Sequence, residues 1–337
     1  MKDQILYKEH TFPLIRRLNK HFEIIAPVEG KGGDILFDPI TSEHDVVLDF
    51  TNTIMPPKRF FFPQFETLFS WKGKEFTVPL KAKRRIVLGI RPCDFSGILF
   101  LDRYYALEYK DNYYFSRRNN TLFILLGCNE PQEHCFCLSA GTGPFLKRGF
   151  DIQLTDLRDR YYVQIGSRKG KELVERYHYF FRPASKEEKE EYFQKVREVE
   201  GKFKEKVDFD LVAERMEKGK VPENLWQDLA FRCQNCGGCS YVCPTCFCFN
   251  LIDRITSKEE GKRIRTWDSC TFSGYTRMAG GYNPREEKKD RVKRRFYHKL
   301  VYEPQQFGMH GCVGCGRCVT TCFGNINMPH VMHEIMK

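Results

Sequence analysis

Long apolar runs are missing from this sequence, and so are the common nucleotide and hydrolase signatures. No stretch reaches the length of a membrane-spanning helix. Met1 to Arg17 mixes Lys2, Asp3, Lys8, Glu9, Arg16 and Arg17 with apolar residues and has no secretory core. These features predict a soluble, cytoplasmic protein without a membrane span. No G-x-G-x-x-G follows a strand, since Gly30-Lys31-Gly32-Gly33 has the wrong spacing. There is no P-loop and no H-E-x-x-H, and the scattered histidines define no nucleophile–base pair. No residue is therefore assigned a catalytic role.

Cysteine, by contrast, is abundant: 15 in 337 residues. The number is odd, and the chain lacks secretory features, so a disulfide framework is disfavoured. Metal binding or redox chemistry is the natural alternative. Hydrophobic residues make up 41%, enough for a buried core, which excludes disorder of the whole chain. The net charge is +11, and it is uneven. Residues 231–337 hold 17 basic and 9 acidic residues, and they also hold most of the cysteines. Such an excess suits an anionic metal cluster, an acidic protein partner or nucleic acid.

Apolar runs predict strands at Val46–Phe50, Arg84–Ile90, Thr121–Cys128 and Arg160–Gly166. Helical spacing marks Phe95–Tyr109. Ser185–Lys218 reads as one or two solvated helices between Pro183 and Pro222. The expected architecture is an α+β or α/β N-terminal domain, residues 1–220, followed by a mainly α-helical two-[4Fe-4S] ferredoxin domain, residues 221–337.

Two blocks share the spacing C-x2-C-x2-C-x3-C: Cys233, Cys236, Cys239, Cys243, then Cys312, Cys315, Cys318, Cys322. This is the ligand pattern of bacterial-type [4Fe-4S] ferredoxins, in which the fourth cysteine reaches over to the other cluster. One cluster is therefore assigned to Cys233, Cys236, Cys239 and Cys322, and the other to Cys312, Cys315, Cys318 and Cys243. Gly237, Gly238, Gly314 and Gly316 let the backbone approach the cluster sulfurs. Zinc is the plainer alternative, but it needs only two C-x2-C pairs and does not account for the third cysteine in each block. Phe323 stands where the proline of the first block, Pro244, has its counterpart.

Each oxidised cubane with four thiolates carries roughly two negative charges, which the local basic excess more than balances. The run Arg285–Arg295 supplies much of that excess. Its plain reading is a solvated helix face with pairs such as Glu287–Arg291; a docking surface for an acidic partner comes next, and nucleic-acid binding last.

Cys93, Cys128, Cys135 and Cys137 each follow a predicted strand and can converge on a third [4Fe-4S] cluster. Zinc or buried, inert thiols are the alternative, and His134 reads as a loop residue. Cys246, Cys248 and Cys270 are too few for an all-cysteine cubane and read mainly as packing thiols near the clusters, with a ligand role as the lesser alternative.

Beyond the ferredoxin spacing, the chain resembles the iron-sulfur beta subunit of cytosolic sulfhydrogenases and the iron-sulfur subunit of anaerobic sulfite reductase. The resemblance rests on Arg17-Leu18-Asn19, Ala26-Pro27-Val28, Thr53–Phe62, Arg91-Pro92-Cys93-Asp94, Cys135-Phe136-Cys137, Cys243-Pro244-Thr245-Cys246, Trp267-Asp268-Ser269-Cys270, Ala279-Gly280-Gly281, His298-Lys299 and Cys312–Cys318. It covers nearly the whole chain. It implies a relay of single electrons. On one side would stand a flavin- and NAD(P)-binding reductase subunit; on the other, a hydrogenase, sulfite reductase or heterodisulfide-reductase-like subunit. FAD and NAD(P) would then sit on the partner. The N-terminal cysteine loops match the family pattern, which favours the third cluster. The rival readings are an enzyme whose N-terminal cysteines are catalytic, and a zinc-organised basic nucleic-acid binder.

Overall fold

The computed structural model describes residues 2–80 and 82–337. Its centre is an eight-stranded mixed sheet. The order is Phe181–Pro183, Gln4–Tyr7, Arg160–Ile165, Ile152–Asp156, Thr121–Leu126, Arg85–Ile90, Glu23–Glu29, Ile35–Pro39. The strands Glu23–Glu29, Arg85–Ile90, Thr121–Leu126 and Ile152–Asp156 run parallel. The remaining strands pair antiparallel at both sides.

The continuous apolar runs of the parallel strands follow from burial on both faces. Ile86, Leu88, Leu122, Ile124 and Leu126 point to one side, against Leu14, Ile15 and Leu18 of helix Thr11–Asn19 and Leu173 and Val174 of helix Arg168–Arg176. Val87, Phe123 and Leu125 point to the other side, against Phe95, Ile98 and Leu101 of helix Pro92–Tyr105. The two-residue alternation of a strand thus feeds two separate cores.

A third core gathers Val212, Met216, Trp226, Leu229, Phe296 and Val331 from helices of the second half. Phe136, from the N-terminal cysteine loop, is fully buried in it. No helix among the described residues is long and apolar enough to cross a membrane.

The expected architecture, an α+β or α/β N-terminal domain before a mainly α-helical ferredoxin domain, is corrected by the region between the two cysteine blocks. Phe249–Ser257 and Glu260–Trp267 form a long hairpin. It pairs antiparallel with Phe65–Lys72, which pairs with Glu75–Thr77, giving a four-stranded sheet. The reason is legible in hindsight: Ile252, Ile255, Ile264 and Thr266 are β-branched residues better suited to a pleated surface than to a helix. A buried carboxylate ties this sheet to the larger body, for Arg265 Nε donates to Glu66 Oε2 at 3.0 Å, and Arg117 also reaches Glu66.

Val46–Phe50 is not a strand. Val46 makes a single bridge to Val28, and 47–50 are irregular. Strand Glu23–Glu29 stops pairing with Arg85–Ile90 at Ile25, leaving room beside it only for that bridge and a 2.8 Å bond from Val47 N–H to Pro27 O.

The basic run is corrected as well. Helix Lys288–Tyr297 buries Arg291 and Arg295, each 4% exposed. Arg291 does not pair with Glu287; it donates to the carbonyls of Thr271 and Arg285 at 3.1 and 2.9 Å. Among the described residues, the surface ion pairs of the run come from Lys289 and Lys293, both with Glu223 and Lys289 also with Glu287. The run holds the fold together rather than presenting a free cationic face.

Candidate metal centres

Each ferredoxin-type block is a tight loop leading into a one-turn helix, Gly238–Tyr241 in the first and Arg317–Thr321 in the second. Both helices start from a left-handed glycine, Gly237 at φ 73° and Gly316 at φ 75°. Both positions are also crowded: a Cβ on Gly237 would come within 2.6 Å of Phe272, and one on Gly316 within 2.6 Å of the His134 carbonyl oxygen. Conformation and space both demand glycine there.

The two short helices pack against each other, so the end of each block approaches the other. Cys233, Cys236, Cys239 and Cys322 line one cavity, with Arg295 and Val292 in its wall. Backbone N–H groups face the sulfurs: Ile326 N–H lies 3.3 Å from Cys322 Sγ, and Asn235 N–H 3.5 Å from Cys233 Sγ. The second group forms around Cys312, Cys315 and Cys318. Burial raises all three thiol pKa values, Cys318 to about 12, and the charge of nearby Cys243 raises each further. Cys322 of the second block thus lines one cavity with Cys233, Cys236 and Cys239, and Cys243 of the first block lies close enough to Cys312, Cys315 and Cys318 for its charge to act on them.

Cys93, Cys128, Cys135 and Cys137 also converge. Cys93 follows strand Arg85–Ile90, and Cys128 follows the adjacent parallel strand Thr121–Leu126. Carboxyl ends of parallel strands are where open α/β sheets bind ligands. Burial pushes the Cys135 thiol up to about 12 and raises Cys93 and Cys137 well above the usual thiol range, with neighbouring cysteines, and Asp94 beside Cys93, adding to the effect. His134 stays in the loop and contributes its carbonyl to the Gly316 contact.

This third group is sewn to the second. Phe136 N–H donates to Gly314 O at 2.9 Å, Thr142 Oγ1 to Val313 O at 2.7 Å, and Asn52 Nδ2 to Cys315 O at 3.1 Å. A Cβ on Gly314, itself at φ 63°, would meet the Phe136 carbonyl at 2.5 Å. Arg317, between Cys315 and Cys318, is buried against Asp94, the neighbour of Cys93.

Buried cations surround the thiols. Lys299 Nζ donates to Thr245 Oγ1 at 2.8 Å and Gly311 O at 2.7 Å. Arg295 Nη2 donates to Cys239 O at 3.0 Å, and its Nη1 stands 3.8 Å from Cys246 Sγ. Lys58 Nζ donates to Cys246 O at 2.9 Å and lies 4.4 Å from the Trp267 ring centroid. Burial drives the Lys58 pKa down to about 8, against the pull of the Cys246 and Cys243 thiolates. Sequence reasoning missed this collar, because nothing marks a lone lysine or arginine as buried before the fold is known.

The donor set fits iron–sulfur centres: sets of four thiols, backbone N–H donors toward sulfur, glycine cradles, and cations that offset a cluster's negative charge. Among the described residues, no three His, Cys, Asp or Glu side chains are gathered as a single metal ion would need.

Comparison with known proteins agrees with this chemistry. The family profile described as a 4Fe-4S dicluster domain matches residues 232–326, which supports two [4Fe-4S] clusters. The chain is 33% identical over 331 residues to sulfhydrogenase 2 subunit beta of Pyrococcus furiosus, covering 98% of this chain and 97% of that one. No solved structure matches.

Proposed function

From its place in the family of sulfhydrogenase beta subunits, to which this chain belongs, we propose a three-centre electron relay. That the chain is an iron–sulfur electron-transfer subunit follows from the family and the dicluster domain. The proposal concerns the ligands, the third centre and the partners. Cys233, Cys236, Cys239 and Cys322 hold one [4Fe-4S] cluster, and Cys312, Cys315, Cys318 and Cys243 the second. Cys93, Cys128, Cys135 and Cys137 hold the third.

When bound, these clusters supply one-electron carriers. The chain's own residues set the distances and the electrostatics. The seam from Phe136 to Gly314 holds the second and third centres at adjoining loops. Lys58, Arg295 and Lys299 stabilise the more negative, reduced state from within the protein, where charge is weakly screened.

The first centre has an outlet to the surface. Cys236 is exposed, Phe323 beside Cys322 is 100% exposed, and Phe231 is 85% exposed. Large apolar side chains left in water next to a metal site suit a docking face. One end of the relay meets a flavin- and NAD(P)-binding reductase subunit. The other meets a catalytic subunit of hydrogenase or sulfite reductase type. FAD and NAD(P) belong to the partner.

The observation that carries the relay is the direct interlock of the N-terminal cysteine loop with the second ferredoxin loop. The test is iron and acid-labile sulfide per chain after anaerobic isolation. Three cubanes require about twelve of each and two require about eight. A value near twelve that falls by about four in Cys135→Ser supports three centres. A value near eight that ignores that change confines the relay to the dicluster domain.

A further inference from the structure

Thr245 is fully buried and stands two residues after Cys243, the last cysteine of the first block. Cys243-Pro244-Thr245-Cys246 is a four-residue turn with proline at its second position, closed by Cys246 N–H on Cys243 O at 3.4 Å. The turn brings the threonine hydroxyl back to within 3.2 Å of the Cys243 sulfur. The same oxygen lies 2.5 Å from Gly311 O and 2.8 Å from Lys299 Nζ. Gly311 precedes Cys312, so one hydroxyl touches both cysteine blocks.

A threonine hydroxyl has one hydrogen and two lone pairs, and a lysine ammonium only donates. Lys299 therefore occupies a lone pair of Thr245 Oγ1, and the single hydrogen is left to choose between Gly311 O and Cys243 Sγ. A metal-bound thiolate has no hydrogen of its own and can only accept. Gly311 O does not need the hydroxyl, because Lys299 Nζ donates to it at 2.7 Å, and Gly311 N–H in turn donates to Lys299 O at 2.8 Å. Turning the hydroxyl to sulfur thus leaves no buried acceptor empty. Lys299 comes from a π-helical turn, His298–Tyr302, between helices Lys288–Tyr297 and Glu303–Phe307. Such turns are rare inside helices and recur at functional sites. With Thr245 at 0% and Lys299 at 3% exposure, water does not compete for these bonds.

We propose that Thr245 is a positioning residue that sets the potential of the second ferredoxin centre: its hydroxyl, held by Lys299, donates to the Cys243 sulfur when that centre is reduced. The inference rests on the assignment of Cys243 to that centre. The Cys243 sulfur gains negative charge when an electron arrives along the relay, and the hydroxyl hydrogen turns from Gly311 O toward it. No covalent bond forms or breaks, and no proton leaves Thr245. Hydrogen bonds to the sulfurs are among the levers that set iron–sulfur potentials. This one strengthens as the sulfur becomes more negative, so it favours the reduced state.

The experiment uses the full chain, isolated anaerobically, loaded with iron and sulfide, and titrated potentiometrically with paramagnetic resonance detection. Thr245→Val keeps the side-chain shape and removes the hydroxyl. It should keep the parental iron content and make one centre about tenfold harder to reduce, about 59 mV for one electron, with the other centres unmoved. Thr245→Ala should do the same, and Thr245→Ser, which keeps the hydroxyl, should return to the parental potential. Parental potentials in the valine and alanine variants overturn the proposal. So does a serine variant shifted as far as the valine one, which would make the methyl group responsible. Loss of about four irons from both hydroxyl-free variants also overturns it, because the hydroxyl would then be a structural tie. The relay stands in all three cases. Cys243→Ala tests the assignment beneath it: one centre should lose iron, and parental iron content in that variant would remove both the assignment and this inference.

Discussion

Arg317 and Asp94 form a two-point ion pair in the interior, with Nη1 to Oδ1 at 2.5 Å and Nη2 to Oδ2 at 2.8 Å. They are 4% and 1% exposed. One belongs to the second ferredoxin block and the other to the strand end that carries Cys93. Burial works against the guanidinium charge, yet Asp94 and the Cys315 thiolate hold its pKa above the usual arginine range. Arg317 also donates to Thr53 O at 2.7 Å.

Removing one member strands the other in a dry site. Asp94→Ala is expected to cost about 3–5 kcal/mol, measured by denaturant unfolding of the loaded chain. Replacing both partners with apolar residues should cost less than Asp94→Ala alone. A single variant as stable as the parent would show that water reaches the pair.

Gly314→Ala places a methyl group against Phe136 and forces a non-glycine residue to φ 63°. We expect a loss of more than about 1 kcal/mol and a lower iron content in the second and third centres. Gly274→Ala, with open space around it and no left-handed backbone, is the control and should stay within about 0.5 kcal/mol of the parent.

Glu303 is 1% exposed, and neither carboxylate oxygen has a hydrogen-bond partner. Burial raises its pKa to about 7, although Lys299 pulls the other way. The folded chain therefore holds a proton that the unfolded chain releases above about 4.5. Stability from this group is full below that pH and is lost as pH rises through about 7, by about 3 kcal/mol. Glu303→Gln should flatten the dependence between pH 5 and 8, read as thermal midpoints across that range. An unchanged slope would show the carboxylate finding a partner in the loaded chain.

Lys58 has its pKa lowered by burial to about 8, against the pull of Cys246 and Cys243. Its positive charge favours the reduced cluster, so Lys58→Met should make the nearest potential more negative by roughly 50–100 mV. The wild-type potential should fall as pH rises through about 8, and the variant should not follow. Redox titration at pH 7 and pH 9 reads both effects. Equal slopes in the two proteins would exclude the lysine as the source.

Phe323→Ser should leave iron content and stability as they are, because the side chain is fully exposed. Electron exchange with the partner subunit should slow. A variant that exchanges electrons at the parental rate would move the docking face away from the first centre.

The dicluster domain was readable from spacing because local geometry dictates its two loops: a C-x2-C-x2-C loop has few ways to fold around a cluster. Cys93 and Cys128 were readable as a pair because each follows a buried apolar run. The collar of Lys58, Arg295 and Lys299 was not, since burial of a charged side chain depends on what packs over it from distant segments. Arg291 and Arg295 misled for that reason: helix spacing alone cannot distinguish a basic face in water from one turned toward thiols. The hairpin Phe249–Trp267 was missed because it lies between two helical ferredoxin blocks, and its partner strand begins near residue 65.

The proposed exchange of Cys243 and Cys322 between the blocks also bears on biosynthesis. With that exchange, neither ferredoxin quartet would be complete until the second block has been made and folded back onto the first. The large sheet and the four N-terminal cysteines are synthesised much earlier and do not depend on a cysteine of the second block. Under the proposed assignment, cluster delivery to the dicluster pair would come late in the life of the chain, after delivery to the N-terminal cysteines could have begun.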